Sequence, residues 1–460
     1  MKLVYSCRIQ LQSWWLILVL CLGTALSACS GILGTQELAV QQEQEIVSGL
    51  FRPGNEPHSL PELSSHSPLQ DFMLFAMLNQ PQVEAAYFDW LTAVQRVTVA
   101  RSLPNPRLTF SADISSMVTA LMPGLIMDFP GPGKLGLRAD IASAEADRHY
   151  YQFAALVLQA AFAVKREYYS LNFLTDKIQV SQEMLSLVGE LEELARTQYQ
   201  VDRVTFQDVL RAQIEQDRLI TDIENLEDLR LPLLTRWKAA LGLHADQADP
   251  PFPATFTASS FELDPDELHA VALARNPRLQ ASAAAIRQAE AAWRLALLSR
   301  VPNFTAGLGV NVEASPLMWR PQAGISLPIW RDQIAAEIEA AQDQKLSAQA
   351  RLSADEIALA VSFAERLFAL RESERNLDLL QQRLLPKALE SLTVARSGYL
   401  SAKVNFFNLI DAERTLLDFR LTEIDARTRR EIVMAELAFI FMGVPPVSAP
   451  LLTIDGNATP

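Results

Sequence analysis

The strongest constraint on the fold is an internal duplication of the amino-acid sequence. The segment ARTQYQVDRVTFQDVLRAQ, residues 195–213, returns as ARSGYLSAKVNFFNLIDAE, residues 395–413, and six of the nineteen positions are identical. Composition alone gives about one identity over such a span. Further pairs of segments recur at offsets of 196 to 201 residues. The chain therefore contains two copies of a domain-sized unit rather than an array of short solenoid repeats.

Each copy has the same predicted order of elements. It begins with one helix of 3.6-residue apolar spacing, over about 69–102 in the first copy and about 265–299 in the second. Proline follows each helix and ends it. Two short segments with alternating apolar and polar residues come next, over about 107–129 and about 303–328, and they predict a β-hairpin in each repeat.

A very long helical stretch completes each copy. Pro132 and Pro232 enclose 99 residues without a proline, and a helix over 137–200 alone would span about 95 Å. Helices of this length need partner helices along their whole length, which predicts a barrel or bundle of long antiparallel helices. In the second copy Pro386 interrupts the stretch, and we expect a kink or a local unwinding there.

The four short strands are too few to close a membrane barrel. Strands of about ten residues can span a bilayer when tilted, but lipid does not tolerate an open sheet edge and small closed barrels begin at about eight strands. Other copies of the chain must therefore complete the sheet. Three copies would give twelve strands and twelve long helices, which together form a tube, so the predicted fold is mainly α with a small β part.

The N-terminal region has the features of a targeting segment. A positively charged start and an uncharged apolar run precede LSAC, residues 26–29, which resembles a bacterial lipobox. The resemblance implies cleavage before Cys29 and lipid attachment to its thiol, and Ser30 in the next position implies sorting to the outer membrane. The alternative is ordinary signal cleavage near Ala28. Cleavage changes the formal net charge from −14 to −16, because two positive charges and no negative charge leave.

These features together predict the domain organisation and exclude some functions. No basic stripe suggests a nucleic-acid partner, and the five histidines are scattered without metal-ligand spacing. We expect no catalytic residue, no metal site and no cofactor besides the lipid on Cys29. The predicted segments are a signal peptide over 1–28, an extended lipidated strap over 29–68, a first repeat over 69–255, a second repeat over 256–446 and a C-terminal tail over 447–460.

The order and doubling of these segments resemble the TolC-like outer-membrane efflux protein family, in its lipoprotein branch. The resemblance is carried by the paired NPRL segments, the LP ends of the hairpins, DVLRAQ from Asp208 and NLIDAERTLLD from Asn408. It implies a homotrimeric channel-tunnel in the outer membrane of a Gram-negative bacterium, in which a 12-stranded outer-membrane β-barrel is continued by a periplasmic α-helical barrel. It also implies docking to a periplasmic adaptor protein and, through it, to an inner-membrane pump, with the RND type favoured.

The resemblance also assigns the doubled segment a place. Each copy is expected to be a helix-turn-helix at the periplasmic end, with turns over about 199–206 (the first tip) and about 399–406 (the second tip). A ring of trimer-related carboxylates repels itself, so closure needs hydrogen bonds or ion pairs between helices. By motif match, the pore-gating candidates are Asp208, Tyr399, Asn408 and Asp411. The adaptor-contact candidates are Tyr199, Asp202, Arg203, Val204, Ala402, Lys403 and Val404.

The predicted function is a passive exit duct of a tripartite efflux or secretion system, for drugs or metal ions, and not an enzyme. Two alternatives stay open at this stage. The tip residues could form an ordinary solvated helical surface, and the whole chain could be a lipid-anchored periplasmic coiled-coil protein without a pore.

Overall fold

The computed structural model describes residues 35–114, 118–254, 256–258, 265–401 and 403–446. The predicted signal peptide, Cys29 and the predicted tail over 447–460 lie outside the described residues. The chain divides into two compact units. Among the described residues, the sheet unit comprises 35–46, 88–150 and 281–352, and the tip unit comprises 47–87, 151–280 and 353–446.

Helices account for most of the described residues. Every helix among them is too short or too polar to cross a lipid bilayer. The helices are α1 (Thr35–Phe51), α2 (Leu69–Asn79), α3 (Pro81–Arg101), α4 (Lys134–Gln200), α5 (Phe206–Asp228), α6 (Arg230–Ala240), α7 (Pro265–Arg275), α8 (Pro277–Leu297), α9 (Arg331–Leu379), α10 (Leu385–Leu400) and α11 (Phe406–Glu436).

The predicted long helices are present in both copies. α4 has 67 residues, which corresponds to about 100 Å at 1.5 Å per residue. α9 has 49 residues and is followed by a π-helical turn over Leu380–Leu384. This turn lies directly before Pro386, whose ring cannot donate the next backbone hydrogen bond of a regular helix. The expected local unwinding at this proline is therefore confirmed.

The strands form one antiparallel sheet in the sheet unit, in the order β1-β2-β3-β4. Their bounds are Arg107–Ile114 for β1, Val118–Phe129 for β2, Phe304–Asn311 for β3 and Met318–Ile325 for β4. The two hairpins of the duplicated halves therefore pair with each other through β2 and β3. Among the described residues, β1 and β4 each pair on one side only.

One face of the sheet is apolar across all four strands. The register aligns Leu108, Leu125, Leu308 and Pro321 in one row. The leucines of this row are 65%, 46% and 45% exposed, in chain order. A further row on the same face aligns Phe129, Phe304 and Ile325. Such a face is stable only against lipid or another apolar surface.

The opposite face carries mostly polar or small residues, with a few apolar ones such as Ile126, and its side chains are crowded. A Cβ atom added to Gly124 would lie 3.0 Å from the hydroxyl oxygen of Thr109, and one added to Gly324 would lie 2.5 Å from that of Thr305. Glycine is therefore required where neighbouring strands bring these side chains together. A polar face opposite an apolar one is the pattern of a membrane barrel, whose interior is polar, so we expect the polar face to be the inner one.

The expected single helix at the start of each copy is wrong, because proline divides it in both. α2 ends at Asn79 and α3 begins at Pro81, while α7 ends at Arg275 and α8 begins at Pro277. Proline is well tolerated at the first position of a helix, but it forces the residue before it out of helical conformation.

In each copy, the break between the first two helices contacts the C-terminal end of the last helix. The side-chain amide of Asn79 donates to the carbonyl oxygen of Leu241 at 2.9 Å, and that of Asn276 donates to the carbonyl oxygen of Phe441 at 3.0 Å. A glycine with positive φ lies just after the helix end in each copy. A Cβ atom at Gly242 would lie 2.6 Å from a backbone oxygen, so only glycine allows this close approach. The duplication is therefore repeated in tertiary contacts.

The expected extended strap before residue 69 is wrong for residues 35–51, which form α1. The apolar side chains of Val40, Val47 and Phe51 are buried at spacings that bring them to one side of a helix. Within the tip unit, the Phe51 ring lies 4.7 Å from the Tyr87 ring. Burial of this apolar side orders the segment, although its composition resembles that of a linker.

Candidate functional site at the helical tips

The first tip joins α4 to α5 through a turn that usually contains glycine. Asp202 has φ +56°, in the left-handed region. Its N–H donates to the carbonyl oxygen of Tyr199 at 3.0 Å, and the N–H of Arg203 donates to that of Gln198 at 3.0 Å. This pair of bonds is the Schellman arrangement that ends helices. Asp202 adopts the left-handed conformation because aspartate tolerates it better than most other non-glycine residues.

The second tip joins α10 to α11 with an equivalent bond two hundred residues later. The N–H of Lys403 donates to the carbonyl oxygen of Gly398 at 2.8 Å. Gly398 has no side chain, and an added Cβ atom would lie 2.5 Å from the Val404 side chain. The glycine therefore lets Val404 fold back onto the end of α10. Ala402, a predicted adaptor contact, lies outside the described residues.

The two tips begin their second helices differently. Asn405 caps α11, because its side-chain oxygen accepts a hydrogen bond from the Asn408 N–H at 3.0 Å. Thr205 occupies the equivalent position before α5, but its side chain makes no capping hydrogen bond. A side-chain cap contributes about 1 kcal/mol to a helix start. The second tip is therefore the better-capped of the two.

Each tip contains one aromatic pair with the same spacing, and the two pairs differ in burial. The Tyr199 and Phe206 rings are 5.5 Å apart, and the Tyr399 and Phe406 rings are 5.3 Å apart. Tyr399 and Phe406 are 4% and 1% exposed, whereas Tyr199 and Phe206 are 43% and 51% exposed. The second pair thus belongs to the core, and the first remains at the surface.

The identical alanines of the duplicated segment lie where helices pack closely. Ala195, Ala212, Ala395 and Ala412 are all buried in one apolar cluster of the tip unit. A larger side chain at these positions would push the helices apart, since interiors are close-packed. The shared residues of the two segments therefore serve turn formation and helix packing.

Asp208 and Tyr399 act on each other electrostatically. Burial raises the pKa of Asp208, while the positive charge of Arg211 lowers it. Burial, and secondly the negative charge of Asp208, raise the pKa of Tyr399 to about 12. Within the described residues the Tyr399 hydroxyl oxygen has no hydrogen-bond partner. The tyrosine is therefore neutral at physiological pH and can donate its hydroxyl proton to an acceptor.

The other predicted site residues lie at the surface of the tip unit. The Asn408 and Asp411 side chains are exposed on α11. In the turns, Asp202, Arg203 and Lys403 are exposed, and Val204 and Val404 are half-buried. The turns thus present charged side chains around small apolar ones.

Sequence reasoning missed exposed apolar residues beside both turns. Val201, Leu400 and Phe407 are 58%, 50% and 55% exposed, respectively. The guanidinium of Arg211 lies 5.7 Å from the centre of the Phe407 ring, in a cation–π contact between α5 and α11. The sequence indicated these residues only through the presence of apolar residues directly at a predicted turn.

Sequence reasoning also missed a buried charged group behind the tips. Glu215 on α5 and Glu413 on α11 are 2% and 0% exposed. Nε of Arg414 donates to Glu215 at 2.8 Å and links α11 to α5. The helical spacing contained a signal for this burial. Glu413 follows Leu409 and Ile410 by four and three residues, which places it on the same apolar face of the helix.

More exposed ion pairs connect α4 with the second helical hairpin. Arg396 pairs with Glu190 at 3.1 Å, and Arg420 pairs with Glu183 at 3.0 Å. Exposed pairs contribute about 0–1 kcal/mol each. No three His, Cys, Asp or Glu side chains come together as metal ligands in the part of the chain that the structure describes.

Comparisons with known proteins match this arrangement. Residues 268–441 match the family described as "Outer membrane efflux protein". The cobalt-zinc-cadmium resistance protein CzcC of Cupriavidus metallidurans is 22% identical over 329 residues, which cover 70% of this chain and 77% of that protein.

Two solved structures share the fold. The Campylobacter jejuni CmeC outer membrane channel has a TM-score of 0.69 at 14% identity, covering 82% of this chain and 85% of that one. The open state of the Neisseria gonorrhoeae MtrE outer membrane channel has a TM-score of 0.68 at 15% identity, covering 84% of this chain and 94% of that one.

The fold, with its doubled hairpins and long helices, is therefore that of outer-membrane channels. The chain functions as an efflux channel of the outer membrane, and its residues 268–441 match the outer-membrane efflux protein family.

Proposed function

We propose that three copies of the chain form a passive exit duct for a tripartite efflux system. The duct crosses the outer membrane through the combined sheets and continues into the periplasm through the long helices. The chain itself supplies no energy, which comes from an inner-membrane pump connected through a periplasmic adaptor protein.

The observation that carries this proposal is the two-faced sheet. Its outer face is apolar from β1 to β4, its inner face is mostly polar or small, and each outermost strand pairs on one side only within the described residues. An unpaired edge in lipid leaves backbone groups without hydrogen bonds, so edges must be joined to the sheets of other copies. Three sheets of four strands give a barrel of twelve, which is wide enough for a polar lumen.

The tips supply the surface for the adaptor. Exposed apolar side chains at Val201, Leu400 and Phe407 lie beside the charged turn residues Arg203 and Lys403. An apolar centre with a charged rim is the composition of protein–protein contacts. We assign Tyr199, Asp202, Val204 and Val404 to the same contact because they lie at the same turns. Ala402 is assigned to it on the sequence prediction alone.

The gate of the duct is assigned to the residues that join the two helical hairpins. The Tyr399 hydroxyl and the Asp208 carboxylate are brought together there, and Asn408 and Asp411 present polar groups along the exposed side of α11. Asparagine in place of a second carboxylate reduces the repulsion that a trimeric acidic ring would create. The gate is therefore proposed to depend on charge, through the effect of Asp208 on Tyr399 and the reduced repulsion at Asn408.

The pump is proposed to be of the RND type, and the cargo to be divalent metal cations. Support comes from the relative CzcC, whose name records cobalt, zinc and cadmium resistance. The anchor is proposed to be a lipid on Cys29, six residues before α1 begins at Thr35. A periplasmic coiled-coil protein without a pore is not favoured, because its apolar sheet face would be exposed to water.

An efflux test in cells separates these possibilities. We expect expression of the wild-type chain to restore zinc and cobalt resistance in a Gram-negative strain that lacks the exit duct of its own RND metal pump. The matched control replaces Cys29 with serine and should reduce the amount of protein in the outer membrane. Restored drug resistance without metal resistance would contradict the cargo, and no restored export of either kind would contradict the duct.

A further inference from the structure

A buried acidic group lies behind the tips and has no role in the duct as described above. Glu413 on α11 is 0% exposed, and Glu215 on the neighbouring α5 is 2% exposed. Both residues belong to the tip unit. Carboxylates are rarely buried to this extent unless they are paired.

Within the described part of the chain, only one of the two carboxylates has a hydrogen-bonding partner. Arg414 donates to Glu215 through Nε at 2.8 Å and also through Nη2, so the charge of Glu215 is compensated. Neither oxygen of Glu413 has a hydrogen-bond partner within the described residues. An ionised carboxylate without donors is strongly unfavourable in such a place, and protonation removes the charge.

The surroundings of Glu413 favour the neutral form. Burial, and secondly the negative charge of Glu215, raise the pKa of Glu413 from 4.5 to about 7, against the opposing effect of Arg414 and Arg218. The charges that act on it come from α5 and from its own helix. α4 and α10 contribute apolar side chains to the same buried cluster, whereas Glu183 and Glu190 of α4, which pair with Arg420 and Arg396 of the second hairpin, are exposed. The apolar residues are Met184, Leu191, Ala388, Leu392 and Ala395.

We propose that neutral Glu413 holds the two helical hairpins of one chain together, and that its ionisation favours their separation and the opening of the duct. The proposal rests on the duct function proposed above. Separation of α5 from α11 would admit water to the carboxylate and transfer its proton to solvent. Glu413 is therefore a positioning residue of the gate, which acts through helix packing and not by lining the pore.

The direction of the pH effect follows from the raised pKa. A carboxyl group whose pKa is higher in the packed state stabilises that state fully below about pH 4.5, and the stabilisation is lost as the pH rises through about 7. The ratio of separated to packed hairpins should therefore increase with pH, by up to about tenfold per pH unit and per chain in this window. Acidification of the periplasm would close the duct.

The test compares conductance of the full-length protein in planar bilayers from about pH 5.5 to about pH 8.5. In wild type, the open fraction should rise with a midpoint near pH 7. Glu413→Gln should keep the open fraction low and nearly independent of pH, because glutamine has the shape of the neutral acid. The control Asp418→Asn removes an exposed carboxylate of the same helix and should retain the wild-type profile.

Thermal unfolding supplies a readout that does not depend on conduction. Glu413→Gln should raise the melting temperature over wild type at about pH 8 and leave it unchanged at about pH 5. A conducting Glu413→Gln protein with the wild-type pH profile, or an equal melting difference at both pH values, would overturn the role of Glu413 alone. Lack of conductance in every variant at every pH would instead count against the duct itself.

Discussion

Replacement of Leu308 by arginine is expected to keep the protein out of the outer membrane. Leu308 lies in the middle of β3, in the row that runs from Leu108 to Pro321 across the apolar face. Arginine on the lipid-facing side of a barrel costs about 2–4 kcal/mol near the bilayer centre, and the cost recurs in every copy of the assembly. The fraction of chain that resists extraction from purified outer membranes should fall to a small part of the wild-type value.

Gln322→Arg is the matched control for Leu308→Arg. Gln322 pairs with Gly307 in the neighbouring position of the same strand pair, so its side chain points to the opposite, polar face. Because alternate residues of a strand point to opposite faces, this arginine reaches the lumen. We expect normal membrane insertion with altered ion selectivity. Equal insertion of Leu308→Arg and wild type would show that the apolar face does not meet lipid.

Replacement of Phe406 by alanine is expected to loosen the second tip. Phe406 is 1% exposed and packs against Tyr399. Removal of a buried phenylalanine side chain costs about 3–5 kcal/mol, because the cavity is filled only in part by relaxation. The melting temperature should fall by several degrees, and the closed time of single channels in planar bilayers should shorten.

The duplication provides an internal control for Phe406→Ala. Phe206 occupies the equivalent position of the first tip, contacts Tyr199 in the same way, and is 51% exposed. Phe206→Ala should therefore change the free energy of unfolding by no more than about 0.5–1 kcal/mol. Equal destabilisation by the two substitutions would mean that the two tips are buried alike in the assembled protein.

The doubled sequence was sufficient to predict the main elements, because it marks the same turn twice. Tyr199 and Tyr399, together with the phenylalanines seven residues later, predict two similar tips. It was not sufficient to predict that one aromatic pair is buried and the other exposed. Tyr399 and Phe406 belong to the buried apolar cluster of the tip unit and the first pair does not, a tertiary difference that two nearly equivalent segments cannot specify by themselves.

Other features were missed although the sequence contained a signal. Pro81 and Pro277 force the residues before them out of helical conformation, and they divide helices that alanine-rich spacing had joined into one. Val40 and Val47 are seven residues apart and predict one side of a helix in a segment of linker-like composition. In both places a local rule was correct and composition over a longer window was misleading.

The buried group at Glu413 was missed for a different reason. A charged residue among apolar positions of a helix can be a satisfied ion pair, an error of register or a functional group, and spacing alone does not separate these. Only the structure distinguishes Glu215, which is bound by Arg414, from Glu413, which has no partner among the described residues.

The central claim is that one chain supplies a third of a membrane-spanning wall. The most direct test is the mass of the protein particle extracted from outer membranes in native lipid discs. We predict a particle that contains three chains, and Leu308→Arg should remove it from the membrane fraction. The claim would be contradicted by a particle that contains a single chain and by a cysteine at position 315, in the β3–β4 turn, that cannot be labelled from the cell surface.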